Sequence, residues 1–308
     1  MPDRPAAEVR IDRDLIRDLL AGQAEAAIPG ASALPLAKVA EGWDSEIWRL
    51  GARHAVRLPR RAAAAPLVLH EQLVLPGIAE RLAASGVRVP APLVAGSPAA
   101  GYPWAWSVVP WIEGARAMDE PVSLRGAWAE TLARTLAALH VEAPPGYPLN
   151  PYRGVPLETR SDAVAERLTV LRAAETLSTA SAQALDAVWR TGVAAAPWMR
   201  PAVWLHGDLH PGNLVVRDGR LSGIIDFGDV TAGDPAYDLA VAWLAFDAGG
   251  RARFRAATGE RYDLATWRRA HAWAAAVALM LLAHSDDDPA YFALGRDAAA
   301  EVVSDRPR

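Results

Sequence analysis

The sequence predicts an α+β fold: a β-rich region with helices comes first, then a longer, mostly helical stretch, and the length suffices for one large domain or two modest ones. Two observations carry this. Strand-like runs crowd the start of the chain, at Leu34 to Ala40, Glu46 to Leu50 and His54 to Leu58. They are separated by Gly42-Trp43-Asp44-Ser45 and Gly51-Ala52-Arg53, which read as turns. Further on, Leu124, Trp128, Leu132, Leu136 and Leu139 recur at three or four residues, the spacing of a buried helix face.

The other elements follow in order. Ile11, Leu15, Ile16, Leu19 and Leu20 fall on one helical face, with Asp12 and Asp14 in the first turn, where carboxylates favour the helix dipole. Leu67 to Leu75 reads as a short helix holding Glu71. Pro76 interrupts it and starts a second helix through Arg81. Val87 to Ala95 is extended and proline-punctuated, and Pro103 to Ile112 is an apolar run ending at Glu113-Gly114. Gly146 to Pro156 is a connector rich in Pro and Gly. Leu157 to Ala174 and Ser178 to Ala194 form a helical pair, and Pro197 to Pro201 ends it. Leu214 to Val216 and Leu221 to Ile225 are strands, and Asp218-Gly219 between them signals a tight primed turn. Asp234 and Asp238 are expected to cap and brace a helix over Leu239 to Phe246. Asp263 to Val303 is helical and rich in Ala and Trp.

Bulk properties exclude several classes. The chain has 308 residues, 52% hydrophobic and 22% charged, as in a globular protein. A net charge of −4 gives no electrostatic case for nucleic acid. With no Cys, disulfides and thiolate chemistry are excluded. The start, MPDRPAAEVRID, lacks the apolar core of a signal peptide. Ala272 to Ala283 is shorter than the roughly 20 residues that span a bilayer. The expectation is a cytoplasmic protein without membrane or nucleic-acid partners.

The chemistry gathers around the Asp218-Gly219 hairpin. Asp208 and Asn213 precede it and Asp226-Phe227-Gly228 follows it. A hairpin folding back brings two carboxylates and an amide to one edge. Asp208, four residues intervening, Asn213, then Asp-Phe-Gly is the spacing used in phosphoryl transfer. Asp208 would accept the proton of an attacking hydroxyl. Asn213 and Asp226 would hold Mg²⁺ through oxygen, which a hard cation prefers. A metal-dependent hydrolase is a competing reading, since His206-x-Asp208-x-His210 offers Zn²⁺ ligands. No H-E-x-x-H accompanies it. His54, His70, His140, His271 and His284 read as packed imidazoles.

The runs HGDLHPGN and IIDFGD resemble the catalytic signatures of the aminoglycoside phosphotransferase family, which includes macrolide kinases and choline-kinase-like enzymes. The resemblance covers nearly the whole chain. It implies a two-lobed, protein-kinase-like fold, with a nucleotide-binding lobe over 1–112 and a catalytic and acceptor-binding lobe over 113–308. It implies ATP or GTP as donor, Mg²⁺ as cofactor and a hydroxyl of a small molecule as acceptor. It places Pro110, Trp111 and Ile112 at the hinge, where backbone groups meet the purine. Pro110 offers only its carbonyl. Arg57 stands where kinases carry a phosphate-binding Lys. Lys38, the only lysine, lies too far back to replace it. An Arg still forks two donors toward phosphate, so this is a variant of the pattern. Glu71 is its candidate ion-pair partner and Glu80 the runner-up. The Gly42 to Ser45 loop would cover the phosphates with backbone N–H groups, although it has one glycine and not G-x-G-x-x-G. The helical pair after residue 157 helps wall the acceptor site in this family.

Between Gly228 and Asp234 there is no long activation segment and no A-P-E, and His206-Gly207-Asp208 lacks an Arg before the Asp. Both absences argue against a protein substrate. A nucleotide-binding pseudokinase used as a regulatory module is the rival from another class. The presence of Asp208, Asn213 and Asp226 together weighs against it. From Leu239 to Arg308, nine acidic residues stand against nine arginines. That balance favours a neutral or singly cationic acceptor over a polycationic one. The Asp286 to Asp288 run offers at most one local cation site.

Overall fold

The computed structural model describes residues 5–285 and 287–305. The chain forms two compact units. One is built within Pro2–Glu113 and takes in Gly223–Gly228; the other is built within Gly114–Ser222 and Asp229–Arg308.

The amino-terminal unit opens with helix α1 (Arg13–Gln23), which buries Ile16, Leu19 and Leu20. Asp12 caps it, accepting from the Leu15 N–H at 3.1 Å. Three strands follow: β1 (Leu36–Glu41), β2 (Ser45–Leu50) and β3 (His54–Pro59). Ser45, expected in the loop, instead opens β2 and pairs with Pro59. Helix α2 (Ala65–Leu82) comes next, then β4 (Val94–Gly96) and β5 (Trp106–Pro110). The antiparallel sheet has the order β1-β2-β3-β5-β4. Its core includes Trp48, Leu50, Val56, Leu58, Trp106 and Val108 with the buried face of α1.

Helix α2 corrects the expectation that Pro76 divides it: the helix runs through. Proline fixes φ near a helical value and removes only its own N–H. Val68, Glu71, Leu75, Ile78 and Leu82 are all buried, at alternating steps of three and four, so both halves share one core face. The segment Ala62–Ser85 has the length and hydropathy of a membrane-crossing helix. One face of it is buried, Glu71 included, while Leu69 and Leu73 on it are 53% and 71% exposed.

The carboxy-terminal unit begins with β6 (Ala115–Arg116), α3 (Val122–Arg125) and α4 (Ala129–Leu139). Leu124, expected on the buried face, lies on the short α3 and is 56% exposed, so the buried stripe starts at Trp128. Helices α5 (Ser161–Ala173) and α6 (Thr179–Val193) form the expected pair. Strand β7 (Val203–Leu205) leads into the central loop, and β8 (Leu214–Arg217) and β9 (Arg220–Ile224) form the hairpin. Asp218 and Gly219 take φ of 52° and 69°, both left-handed, as a primed turn requires. Strand β10 (Thr231–Gly233) pairs antiparallel with β7.

The helix expected over Leu239 to Phe246 is two short ones, α7 (Ala236–Leu239) and α8 (Val241–Ala245). Helix α9 (Ala248–Thr258) was not anticipated. Two glycines and three arginines obscure its apolar face, which is little more than Phe254. Helix α10 (Leu264–His284) is buried along nearly its whole length and forms the centre of the unit, packed on α6 and α11 (Pro289–Ser304). In the Asp286 to Asp288 run, Asp286 lies outside the described residues. Asp288 caps α11, accepting from the N–H groups of Ala290 and Tyr291.

Candidate active site

The loop from His206 to Asn213 is held from below by Asp238 of α7. This carboxylate has no exposure. Its Oδ2 accepts from the His206 N–H at 2.7 Å and its Oδ1 from the Gly207 N–H at 3.1 Å. His140 Nε2 lies 3.2 Å from Oδ2. A carboxylate can only accept, so His140 donates there. His140 Nδ1 meets the Tyr262 hydroxyl at 2.8 Å. Asp238 therefore braces the loop, where the sequence suggested a brace for the helix that follows. Burial alone would raise its carboxyl, but the bonds from His140 and His206 outweigh that and hold it below the usual range. Asp234 is not the N-cap of α7, which is Pro235; it accepts the Ala236 N–H at 3.0 Å and pairs with Arg269 at 2.6 Å.

Gly207 takes φ +85°, and a Cβ there would fall 2.1 Å from the Asp229 carbonyl oxygen. Only glycine fits. Its neighbour Asp208 is thereby turned out of the loop with its side chain 31% exposed. The Asp208 N–H donates to His206 Nδ1 at 3.1 Å. Asn213 Nδ2 donates to the Asp208 carbonyl at 2.8 Å and lies 3.3 Å from Asp208 Oδ2. This fixes the amide and leaves its Oδ1 as the end not used by the loop. His210 accepts the Gly212 N–H at Nδ1, and its Nε2 lies 3.5 Å from Asp208 Oδ2. Burial would raise the Asp208 carboxyl. His210, Arg153 and His206 outweigh it and hold the group well below the ordinary carboxylate range. With both histidines engaged inside the loop, the zinc reading loses its ligands. Among the described residues no group of three His, Asp or Glu is arranged for a metal ion.

In the amino-terminal unit, Arg57 of β3 lies with Nε 2.9 Å from Glu71 Oε2 and with a terminal nitrogen 3.1 Å from Asp226 Oδ1. Glu80 is exposed on α2. Glu71 is buried, which pushes its carboxyl up to about 7 against the pull of Arg57. Burial works against the Arg57 charge too, but Glu71 and Asp226 more than offset it and raise its pKa. Asp226 takes φ +62°, a conformation uncommon outside Gly, Asn and Asp. Its side chain is 52% exposed, so one carboxylate oxygen remains open.

The Gly42 to Ser45 turn closes on itself, the Gly42 N–H donating to the Ser45 carbonyl at 2.9 Å. Arg60 donates to the Gly42 carbonyl and Arg61 to the Asp44 carboxylate, at 2.9 and 2.7 Å. The N–H of Gly42 is thus occupied. At the end of β5, Pro110 pairs with His54. The Trp111 N–H donates to the Arg53 carbonyl at 2.8 Å, and Arg49 covers the Trp111 ring at 4.5 Å. Ile112 is buried against Gly223, where a Cβ would meet its side chain at 2.6 Å. Among the described residues, Ile112 makes no backbone–backbone hydrogen bond.

If Arg57 clamps phosphate, as the resemblance implies, losing its guanidinium would remove a charge-assisted contact worth about 1.5–3 kcal/mol, which corresponds to roughly 10- to 100-fold in rate or affinity. Arg57→Ala is therefore expected to raise nucleotide KM and lower kcat, and Arg57→Lys to retain part of the activity because the charge stays. Steady-state kinetics checks this; a silent Arg57→Ala would place the phosphate clamp elsewhere.

Sequence reasoning missed Arg153, Asn150, Asp229 and Tyr237. Arg153 contacts Asp229 Oδ2 at 3.0 Å and the Tyr237 hydroxyl at 2.5 Å, and Asn150 Nδ2 donates to Asp229 Oδ1 at 2.8 Å. Asp229, directly after Asp-Phe-Gly, carried a positional signal. Asn150 and Arg153 sit in the connector, where no periodicity marks a functional side chain.

The profile of the Phosphotransferase enzyme family matches residues 35–273. No curated protein sequence matches the chain. Among solved structures, the GDP complex of wild-type aminoglycoside 2'-phosphotransferase-IIIa superposes with a TM-score of 0.67 at 17% identity, covering 96% of this chain and 99% of that one. Macrolide 2'-phosphotransferase MphH from Brachybacterium faecium, as apoenzyme, gives 0.60 at 21% identity, with 96% and 99% covered. The ADP-bound aminoglycoside phosphotransferase APH(2'')-Ib gives 0.59 at 17% identity, with 95% and 97% covered. At these identities the likeness establishes the kinase-like α+β fold.

Proposed function

Since the chain belongs to the phosphotransferase enzyme family, we propose that it is a small-molecule kinase that transfers the γ-phosphate of ATP or GTP to a hydroxyl of an antibiotic-like or metabolite acceptor. The observation that carries this is Asp208: an accessible carboxylate on a loop whose backbone is fixed by the buried Asp238. Its low pKa makes it a weak base. Phosphoryl transfer asks mainly that the hydroxyl be positioned and its proton received as the bond forms. Arg57, tied to Glu71, would orient phosphates, and the backbone of Ile112 is open to a purine. The Gly42 to Ser45 turn, with Pro110 and Trp111, would shape the rest of the nucleotide site.

Asn213 and Asp226 suit Mg²⁺, each presenting an oxygen that its own surroundings leave open. When bound, the metal supplies charge neutralisation on the phosphates. Solved relatives were captured with GDP, with ADP and, in one case, with GDP and kanamycin, which supports a nucleotide donor here. A nucleotide-dependent kinase of this kind would work in the cytoplasm, where such donors are abundant.

For the acceptor, the even balance of acid and Arg beyond Leu239 argues for a neutral or singly cationic compound, and Asp288 is occupied as a helix cap. A phosphorylation screen of macrolides, amino alcohols, choline, sugars and aminoglycosides, with both nucleotides, is expected to show turnover in the neutral or singly cationic set. Efficient phosphorylation of kanamycin-type compounds with macrolides and amino alcohols inert would overturn the acceptor assignment.

A further inference from the structure

The Asn150 to Gly154 segment reads as a connector in sequence, yet the carboxy-terminal unit fixes it at several points. The Thr231 hydroxyl donates to the Pro148 carbonyl at 2.8 Å. Asn150 donates to Asp229 and receives the Tyr152 N–H. Gly154 takes φ +64°, and a Cβ there would fall 2.4 Å from Leu205 Cδ1 and 3.3 Å from Gly233 Cα. The backbone therefore lies directly on the β7–β10 pair, with the Asp234 N–H donating to the Gly154 carbonyl at 3.2 Å. Arg153 stands on this fixed backbone, its side chain 19% exposed.

The guanidinium reaches three groups. One terminal nitrogen donates to the Tyr237 hydroxyl; the other donates to Asp229 Oδ2 and lies 3.6 Å from Asp208 Oδ1. The Tyr237 ring lies under the cation at 5.6 Å. The two oxygens of Asp208 thus face different partners: Oδ2 faces Asn213 and His210, and Oδ1 faces Arg153. A carboxylate so flanked has a defined plane. Without Arg153, Asp208 and Asp229 would repel each other, and Oδ1 would lose the charge that orients it.

We propose that Arg153 is a positioning residue for phosphoryl transfer, its fork holding Asp208 and Asp229 as a pair so that the Asp208 carboxylate stays aligned for the acceptor hydroxyl. The proposal rests on the reading of Asp208 as the group that receives the hydroxyl proton. Arg153 acts through Asp208, so its loss affects the chemical step and leaves nucleotide capture alone. A misplacement of about 1 Å at a reacting group can cost on the order of 100-fold. Lys is a point charge without the planar fork and cannot span all three partners.

The test compares wild type, Arg153→Ala, Arg153→Lys and Asp208→Asn on one good acceptor found in the screen, with thermal unfolding measured for each. Arg153→Ala is expected to lose roughly 10- to 100-fold in kcat with nucleotide KM unchanged. Millimolar guanidinium should restore part of that activity and none to Asp208→Asn. Arg153→Lys is expected to fold like wild type and recover only part of kcat. The proposal is overturned if Arg153→Lys matches wild type in kcat. It is also overturned if guanidinium restores nothing to a folded Arg153→Ala, or if loss of activity only follows loss of folded protein. If Arg153→Ala does not fold, the kcat of Arg153→Lys decides. Should wild type transfer no phosphate to any acceptor, the kinase reading itself falls and takes this with it. Should wild type transfer phosphate while Asp208→Asn does not, a normal Arg153→Lys sinks the positioning role alone.

Discussion

Asp208→Asn is expected to lower kcat by about 100-fold or more, the usual contribution of a general base, with nucleotide affinity little changed. The substitution keeps the shape of the side chain and removes its ability to receive a proton. The surroundings make the loss specific. Oδ2 faces two donors, Asn213 Nδ2 and His210 Nε2, and Oδ1 faces Arg153. An Asn amide would point its NH₂ at donors on whichever side it lies, so the side chain would also turn. On the proposed reading nucleotide is held by Arg57 and Glu71 in the amino-terminal unit, so its binding is expected to stay intact. Kinetics with nucleotide titrated at saturating acceptor separates the two parameters; near-normal turnover would end the assignment of Asp208.

Asp238→Asn is expected to damage both stability and activity. Asp238 is fully buried, and each partner it has is a donor: the N–H of His206, the N–H of Gly207 and His140 Nε2. An Asn NH₂ would face one of these donors in either orientation. Disrupting such a buried charged acceptor costs about 3 kcal/mol or more, which corresponds to a Tm lower by roughly 5–10 °C. The sign with pH follows from the depressed carboxyl of Asp238. A group whose folded pKa lies below its unfolded value of about 3.9 contributes stability that is complete above that value. The contribution is lost as pH falls from there through the folded pKa. The Tm gap between wild type and Asp238→Asn should therefore be widest near neutrality and narrow below about pH 4. A gap independent of pH would mean that the carboxylate charge is not what secures the loop.

Much of this arrangement was legible in the sequence because it is local. The Asp218-Gly219 turn, the strands around it and the spacing of Asp208, Asn213 and Asp226 depend on a few neighbouring residues. Glu71 was named because the kinase-like resemblance implies a carboxylate partner for Arg57 on the helix just after β3, and the two do pair. Pro76 misled because the local rule for proline was outweighed by a continuous buried stripe on both sides of it. Helix α9 was hidden because two glycines and three arginines fall among its eleven positions, and only its packing defines its inner face. Arg153 and Asn150 were invisible for a different reason. Their partners Asp208, Asp229 and Tyr237 lie more than fifty residues away, and no spacing rule links a connector to a loop across that distance. Asp238 was seen as a cap, but its bonds to His206 and Gly207 depend on how α7 packs beneath the loop.

The central claim is that this chain moves a phosphoryl group from nucleotide to a small-molecule hydroxyl through Asp208. Its most direct test is a balance of products in a reaction holding Mg²⁺, nucleoside triphosphate and one acceptor, followed by mass spectrometry. The account predicts one phosphorylated acceptor for each nucleoside diphosphate formed in wild type, and neither product above background with Asp208→Asn. Nucleotide that binds tightly but stays intact with every hydroxyl acceptor tried, or equal product from wild type and Asp208→Asn, would contradict it.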